Sequence, residues 1–165
     1  MEKINIDNVS FRTVVEEKHR DNIREILESS GFFYDFEIPV ALELVEDALM
    51  DGEHSSYKFL FAEIGGKPVS YTCYGQIGGT EAGYDLYWII THNDYRGQGI
   101  GKIIIEETHR IIQELGGKYV IAETSGLEKY APTRKFYLNL GYKLEAEIRD
   151  YYKEGDTKLI YIYRF

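Results

Sequence analysis

The stretch Tyr95-Arg96-Gly97-Gln98-Gly99-Ile100-Gly101-Lys102 separates two segments of opposite character. Before it, residues 84–90 are nearly continuous apolar and aromatic sequence, the pattern of a strand covered on both faces. After it, residues 99–115 place Ile100, Ile104, Ile111 and Leu115 on one side of a helix that Gly116-Gly117 closes. The octapeptide is therefore a strand-to-helix turn. Alternating glycines let backbone approach a ligand closely, and the first helical turn offers unpaired N–H groups and the positive end of the helix dipole. Such a place binds phosphate. A P-loop would need G-x-x-x-x-G-K-[S/T], but Arg96 stands five before Gly101 and Ile103 follows Lys102. A dinucleotide fingerprint G-x-G-x-x-G would end where Lys102 stands, in a chain whose helices alternate wrongly for a doubly wound sheet. Glycines serving only to tighten the turn are the plain structural alternative.

Working outward, the 165 residues suit one domain, 1–165, able to bury roughly 70% of its unfolded surface. A hydrophobic fraction of 44% and an aromatic fraction of 15% exclude a disordered or collagen-like chain. No apolar run is long enough to span a bilayer, and the opening MEKINIDNVS lacks the features of a signal peptide. A soluble, cytoplasmic protein is expected. One cysteine, Cys73, cannot form an internal disulfide, and His19, His54, His92 and His109 show no metal-ligand spacing, so no structural metal is expected. The net charge of −9 argues against nucleic acid as a partner. That charge is localised: residues 25–57 hold nine acids and no Lys or Arg, and the remainder of the chain is balanced.

The coarse element order reads β, α, α, β, β, β, α, β, α, β, β. Residues 11–15 form a strand and 17–29 an amphipathic helix before Gly31. Pro39 opens a second helix with Val40, Leu44, Val45, Ala48 and Leu49 at core spacing. Residues 57–64 and 69–74 flank Gly65-Gly66-Lys67 as a hairpin. A short strand at 119–123, a helix at 132–140 and a hairpin of 142–152 with 158–164 complete the chain. Antiparallel strands followed by one crossover predict an α/β (α+β) fold with a mixed, mostly antiparallel sheet flanked by helices.

On these residues the chain resembles the GCN5-related N-acetyltransferase (GNAT) family. Arg96, Gly99 and Gly101 match its acetyl-CoA loop R/Q-x-x-G-x-G/A, and Phe136-Tyr137-Leu138-Asn139-Leu140-Gly141-Tyr142 is similar to its F/L-Y-x-x-x-G-F/Y. The two motifs occur in the family's order with one strand between them. The resemblance implies a single GNAT-like domain that moves an acetyl group from acetyl-CoA, its cosubstrate, directly to a primary amine. No metal is required, because the thioester is already activated.

The resemblance also implies a site. Backbone at Ile89, Ile90 and Thr91 would hold the pantetheine arm and acetyl carbonyl, and amides of Arg96, Gly97, Gln98, Gly99, Ile100, Gly101 and Lys102 the pyrophosphate. Tyr137 is similar to the family's general acid, and a phenol is protonated at neutral pH. Glu123 resembles the base of protein N-terminal acetyltransferases and is the first choice; Asp85, on the strand before the loop, is the second. Core or ion-pair roles remain open for each of these side chains. Many members carry an Asn that touches the cofactor arm seven residues before the acid; this chain departs from that pattern with Tyr130, whose role is left open. Tyr151 and Tyr152 are candidate acceptor contacts.

The acceptor itself is unreadable: a small amine, a polyamine or a peptide or protein amine all fit the family, and a homodimer is an allowed arrangement. The acidic segment 25–57 has two readings: by resemblance it lines the acceptor cleft and suits a cationic acceptor, or it forms the solvated faces of two amphipathic helices and serves solubility alone. The alternatives are a noncatalytic acyl-CoA-binding module of the same fold and an α/β domain without cofactor.

Overall fold

The computed structural model describes residues 4–165, so the first three residues of the opening segment lie outside it. Its strands and helices follow as β1 (Val9–Arg12), α1 (Lys18–Ser30), α2 (Glu37–Asp51), β2 (Lys58–Ile64), β3 (Lys67–Gln76), β4 (Gly83–Thr91), α3 (Ile100–Glu114), β5 (Tyr119–Ser125), α4 (Ala131–Asn139), β6 (Lys143–Lys153) and β7 (Asp156–Arg164). This is the order expected from the sequence. The strands form one seven-stranded sheet, β1-β2-β3-β4-β5-β7-β6, mixed and mostly antiparallel, with β4 and β5 parallel. Among the described residues no helix is long and apolar enough to cross a membrane.

The chain gathers into two compact units. The first comprises the chain up to Gly75 together with Trp88–Arg110. Its β2–β3 hairpin turns through Gly65 and Gly66 at φ 59° and 79°, the left-handed pair that matches strand twist. Ile23, Ile26 and Leu27 of α1 and Ala41, Val45 and Ala48 of α2 bury against Phe59, Phe61 and Tyr71. Val40, expected in the core, is 50% exposed, because the inner arc of α2 runs through Ala41, Val45 and Ala48 and turns Val40 outward.

In α3 the buried row is Ile104, Ile105, Thr108 and Ile112. Thr108 belongs there because its hydroxyl bonds the Ile104 carbonyl and the Thr72 hydroxyl, both at 2.8 Å. Two residues expected on this face fall off it. Ile111 is half-buried at the margin of the i, i+4 row, and Leu115 is 60% exposed, just beyond the helix end.

The second unit comprises Gln76–Tyr87 and Ile111–Phe165. Here β4 pairs with β5 from Gly83↔Tyr119 to Leu86↔Ala122, and β5 pairs antiparallel with β7 along its length. Side chains alternate across this sheet. Tyr84, Leu86, Val120, Ala122, Leu159 and Tyr161 are buried. Tyr137 of α4 covers that face, its ring stacked on Tyr161 at 6.0 Å and tilted on Tyr142 at 5.2 Å. The opposite face carries Asp85, Tyr87, Ile121 and Glu123, half-buried or exposed.

Candidate active site

In the first unit, β4 ends at Thr91, and a short 3₁₀ turn, Asn93–Tyr95, leads into the glycine loop. The His92 ring accepts the Asp94 amide at 3.2 Å, and the His92 amide bonds the Val69 carbonyl at 2.8 Å, which fixes the end of the strand. Ser70 donates to the Ile90 carbonyl at 2.8 Å and lies 2.9 Å from the Thr91 hydroxyl. Ile90 is buried and Ile89 and Thr91 are half-buried.

Gly97 and Gly99 sit at φ 71° and 88°, where other residues are strained, and together they bend the chain into α3. The Gly99 carbonyl accepts from the amides of Lys102 and Ile103 at 3.1 and 3.2 Å. Among the described residues, no backbone carbonyl accepts from the amides of Gly99, Ile100 or Gly101. These donors crown the helix dipole, a cradle fitted to an anion. Gln98 braces the loop, because its side chain accepts the Ile4 amide at 3.0 Å and donates to the Asp94 carbonyl at 3.3 Å. Arg96 is exposed, and the Lys102 ammonium lies 3.8 Å from Glu106.

In the second unit, strand register collects the polar residues. Asp85 pairs with Ile121, so the two share a face, and Glu123 follows on that face two residues along β5. Ser125 pairs with Lys158 and Glu123 with Ile160, which sets Lys158 diagonal to Glu123 within reach of a long side chain. Asp85, Leu86, Tyr87, Ile121, Glu123 and Tyr152 line a cavity of about 280 Å³. Both candidate bases thus meet in one place. Burial, then the charge of Glu123, raises the Asp85 carboxyl above the ordinary aspartate value, and Lys158 opposes the rise.

Two features of this corner were not legible in sequence. The Lys158 ammonium lies 2.5 Å from Glu123 Oε2 and 3.8 Å from the centre of the Tyr151 ring. Adjacent tyrosines should point to opposite faces, yet Tyr151 and Tyr152 both approach Lys158, because the β6–β7 ladder is interrupted between Ile148 and Lys153. The hint available was a lone base opposite strand-end acids.

Tyr137 lies across the sheet from Glu123, since its neighbour Tyr161 pairs with Ala122. Burial raises its hydroxyl above the ordinary tyrosine value and keeps it protonated. The connection 124–131 before α4 is tied down: Arg134 donates to the Ser125 and Leu127 carbonyls at 3.0 and 2.8 Å, and Ser125 bonds Asp156 at 2.5 Å. Tyr130 closes the short turn ahead of α4, its ring 4.9 Å from the Lys129 ammonium.

The model of the acetyltransferase (GNAT) domain matches residues 55–144, over half of the chain. A GNAT-family structure from Desulfovibrio desulfuricans is 39% identical, with a TM-score of 0.91 over 94% of this chain and 98% of that one. The ribosomal-protein-S18-alanine N-acetyltransferase of Escherichia coli shares the fold at 16% identity and a TM-score of 0.72, covering 94% and 93% of the two chains. The paia N-acetyltransferase of Thermoplasma acidophilum, solved with coenzyme A, does so at 16% identity and 0.71, covering 95% and 99%. No curated protein matches the chain in sequence. With the glycine loop, the mixed sheet and the motif around Tyr137 all in place, the chain belongs to the GNAT family of acetyltransferases.

Proposed function

We propose that this protein transfers an acetyl group from acetyl-CoA directly to a primary amine. The observation that carries the reading is the convergence of Asp85 and Glu123 on one cavity, because a module that only bound acyl-CoA would have no use for two carboxylates there. The loop amides of 99–101 suit the pyrophosphate, and relatives of the same fold bind coenzyme A. Acetyl-CoA supplies an activated thioester, so what remains for the protein is proton management and alignment.

An amine attacks the thioester carbonyl only with its lone pair free. One carboxylate of the pair takes the proton that the nitrogen sheds, and Tyr137 donates one to the departing thiolate. The β4–β5 ladder ends at Leu86↔Ala122, immediately before Glu123. Cys73 is fully buried and its thiol is pushed well up by that burial, so it suits packing rather than acyl transfer.

Release of coenzyme A, followed with a thiol reagent across polyamines, basic peptides and neutral amino acids, tests the reading. Turnover with at least one amine is expected. Tyr137→Phe should lower kcat by on the order of 10²-fold with a poor acceptor while acetyl-CoA affinity holds. Binding of acetyl-CoA with no turnover of any amine would instead identify an acyl-CoA-binding module.

A further inference from the structure

Lys158 is a base at the candidate site that the proposed chemistry does not employ, and its placement is specific. Its side chain is only 11% exposed, its ammonium is 2.5 Å from Glu123 Oε2, and the ring of Tyr151 lies 3.8 Å away. A lysine gives up most of its side-chain freedom to sit there. A second aromatic ring, that of Tyr152, stands at 5.9 Å and also lines the cavity.

We infer that Lys158 is a positioning residue that holds Glu123 in an ion pair and so leaves Asp85 as the carboxylate that receives the acceptor's proton. The inference rests on the function proposed above. Glu123 Oε2 is occupied by the Lys158 ammonium, whose side chain has little water to turn to if that contact is lost, although the Glu123 side chain itself is 44% exposed. Asp85 has no such obligation: among the described residues it makes no salt bridge or hydrogen bond, and it opens on the same cavity.

The charged and titratable groups around Asp85 are Glu123 on β5, Lys158 on β7, Tyr152 on β6 and Tyr87 on its own strand. Those around Lys158 are Glu123, Asp85, Tyr151 and Tyr152, with Asp156 on its own strand engaged by Ser125. Burial and the Glu123 charge raise the proton affinity of Asp85, which strengthens it as a base, and Lys158 limits that rise. Burial disfavours the Lys158 ammonium, but the adjacent Glu123 carboxylate offsets this and the group lies above the ordinary lysine value. It therefore remains charged at neutral pH.

The test compares Lys158→Met, Lys158→Gln and Lys158→Arg with the parent, using carboxyl-carbon NMR to follow the Asp85 titration and the pH profile of kcat/KM to follow catalysis. Asp85→Asn assigns the resonance. In the Met and Gln variants the Asp85 midpoint is expected to move up by about one pH unit, because the cation that opposes the rise is gone and Glu123 remains. The acid limb of kcat/KM should move with it, so that activity falls about tenfold on that limb and recovers at higher pH. Lys158→Arg should restore the parental profile. Glu123→Gln should cost at least tenfold less in kcat than Asp85→Asn. An Asp85 midpoint unchanged in both neutral variants, or a larger loss from Glu123→Gln than from Asp85→Asn, overturns the inference. Since the NMR titration needs no turnover, a protein that acetylates nothing would sink the function while the Asp85 midpoint still decides what Lys158 does.

Discussion

Asp150 Oδ1 accepts the Gly155 amide at 2.7 Å while the Asp150 backbone itself lies at φ 51°, in the left-handed region. This bond ties the interruption of β6 to the β6–β7 turn. Bulges re-aim side chains, and here the result is that Tyr151 and Tyr152 both turn towards Lys158. Asp tolerates left-handed backbone better than most residues, so its presence suits both needs.

Asp150→Ala should therefore destabilise the protein by about 1–2 kcal/mol, through backbone strain and the lost hydrogen bond. Asp150→Gly keeps the backbone comfortable and should lose less. Thermal unfolding separates the two. If the bulge positions the tyrosines for the acceptor, KM for the amine should rise in the Ala variant while acetyl-CoA affinity stays constant.

Gly99→Val tests the loop. At φ 88° a β-branched residue is strained, and a Cβ would lie 3.1 Å from Ile6 Cδ1 on the segment that passes over the loop. The loop must shift, and the amides of 99–101 shift with it. Calorimetry should show acetyl-CoA affinity lowered by at least about 100-fold, a few kcal/mol of charge-assisted hydrogen bonds. Parental affinity in a folded variant would refute the loop as the phosphate site.

Asp85→Asn should abolish most turnover and yet stabilise the fold. A carboxyl whose folded pKa is raised above its unfolded value binds its proton more tightly in the native state, so stability falls as pH rises from the unfolded value through the folded one. Below that window the aspartate is neutral in both states and the Asn variant gains nothing. Above it, Tm of the variant should exceed the parental Tm. Paired thermal scans at pH 4 and pH 8 check this, and an equal Tm difference at both would show that charge burial is not the cause.

The fold was legible because each of its signals is local: apolar runs, helical spacing, and glycine stops at Gly31, Gly116 and Gly141. The glycine turn between β4 and α3 was legible for the same reason. The relation between Glu123 and Lys158 was not, since the residues are 35 apart in sequence and meet only through the β5–β7 register. Likewise, the parallel register that seats Asp85 beside Ile121 follows from how α3 returns the chain, which no short motif records. The buried row of α3 departs from the apolar pattern because Thr108, a polar residue, fills a core position by bonding Ile104 and Thr72.

The acidic segment 25–57 gives the last prediction. Of its nine acids, Glu25 is paired with Lys67 at 2.6 Å and Glu46 with Arg20, Asp47 is engaged by the Ser55 hydroxyl, and Glu37 accepts the Tyr34 amide at 2.8 Å. Glu28, Asp35, Glu43, Asp51 and Glu53 remain exposed with no ion-pair partner among the described residues. Surface charges of one sign draw in opposite charges over about a Debye length, ~10 Å at 0.1 M salt. If this segment lines the route of the acceptor, as family resemblance implies, a cationic acceptor should show kcat/KM that falls with added salt. A neutral amine of similar size should not. Replacing Glu43, Asp51 and Glu53 together by their amides should flatten the salt dependence of the cation and leave the neutral amine unaffected. Acids that serve solubility alone would give salt-independent kcat/KM for both acceptors, with the loss appearing instead as lower solubility of the triple variant.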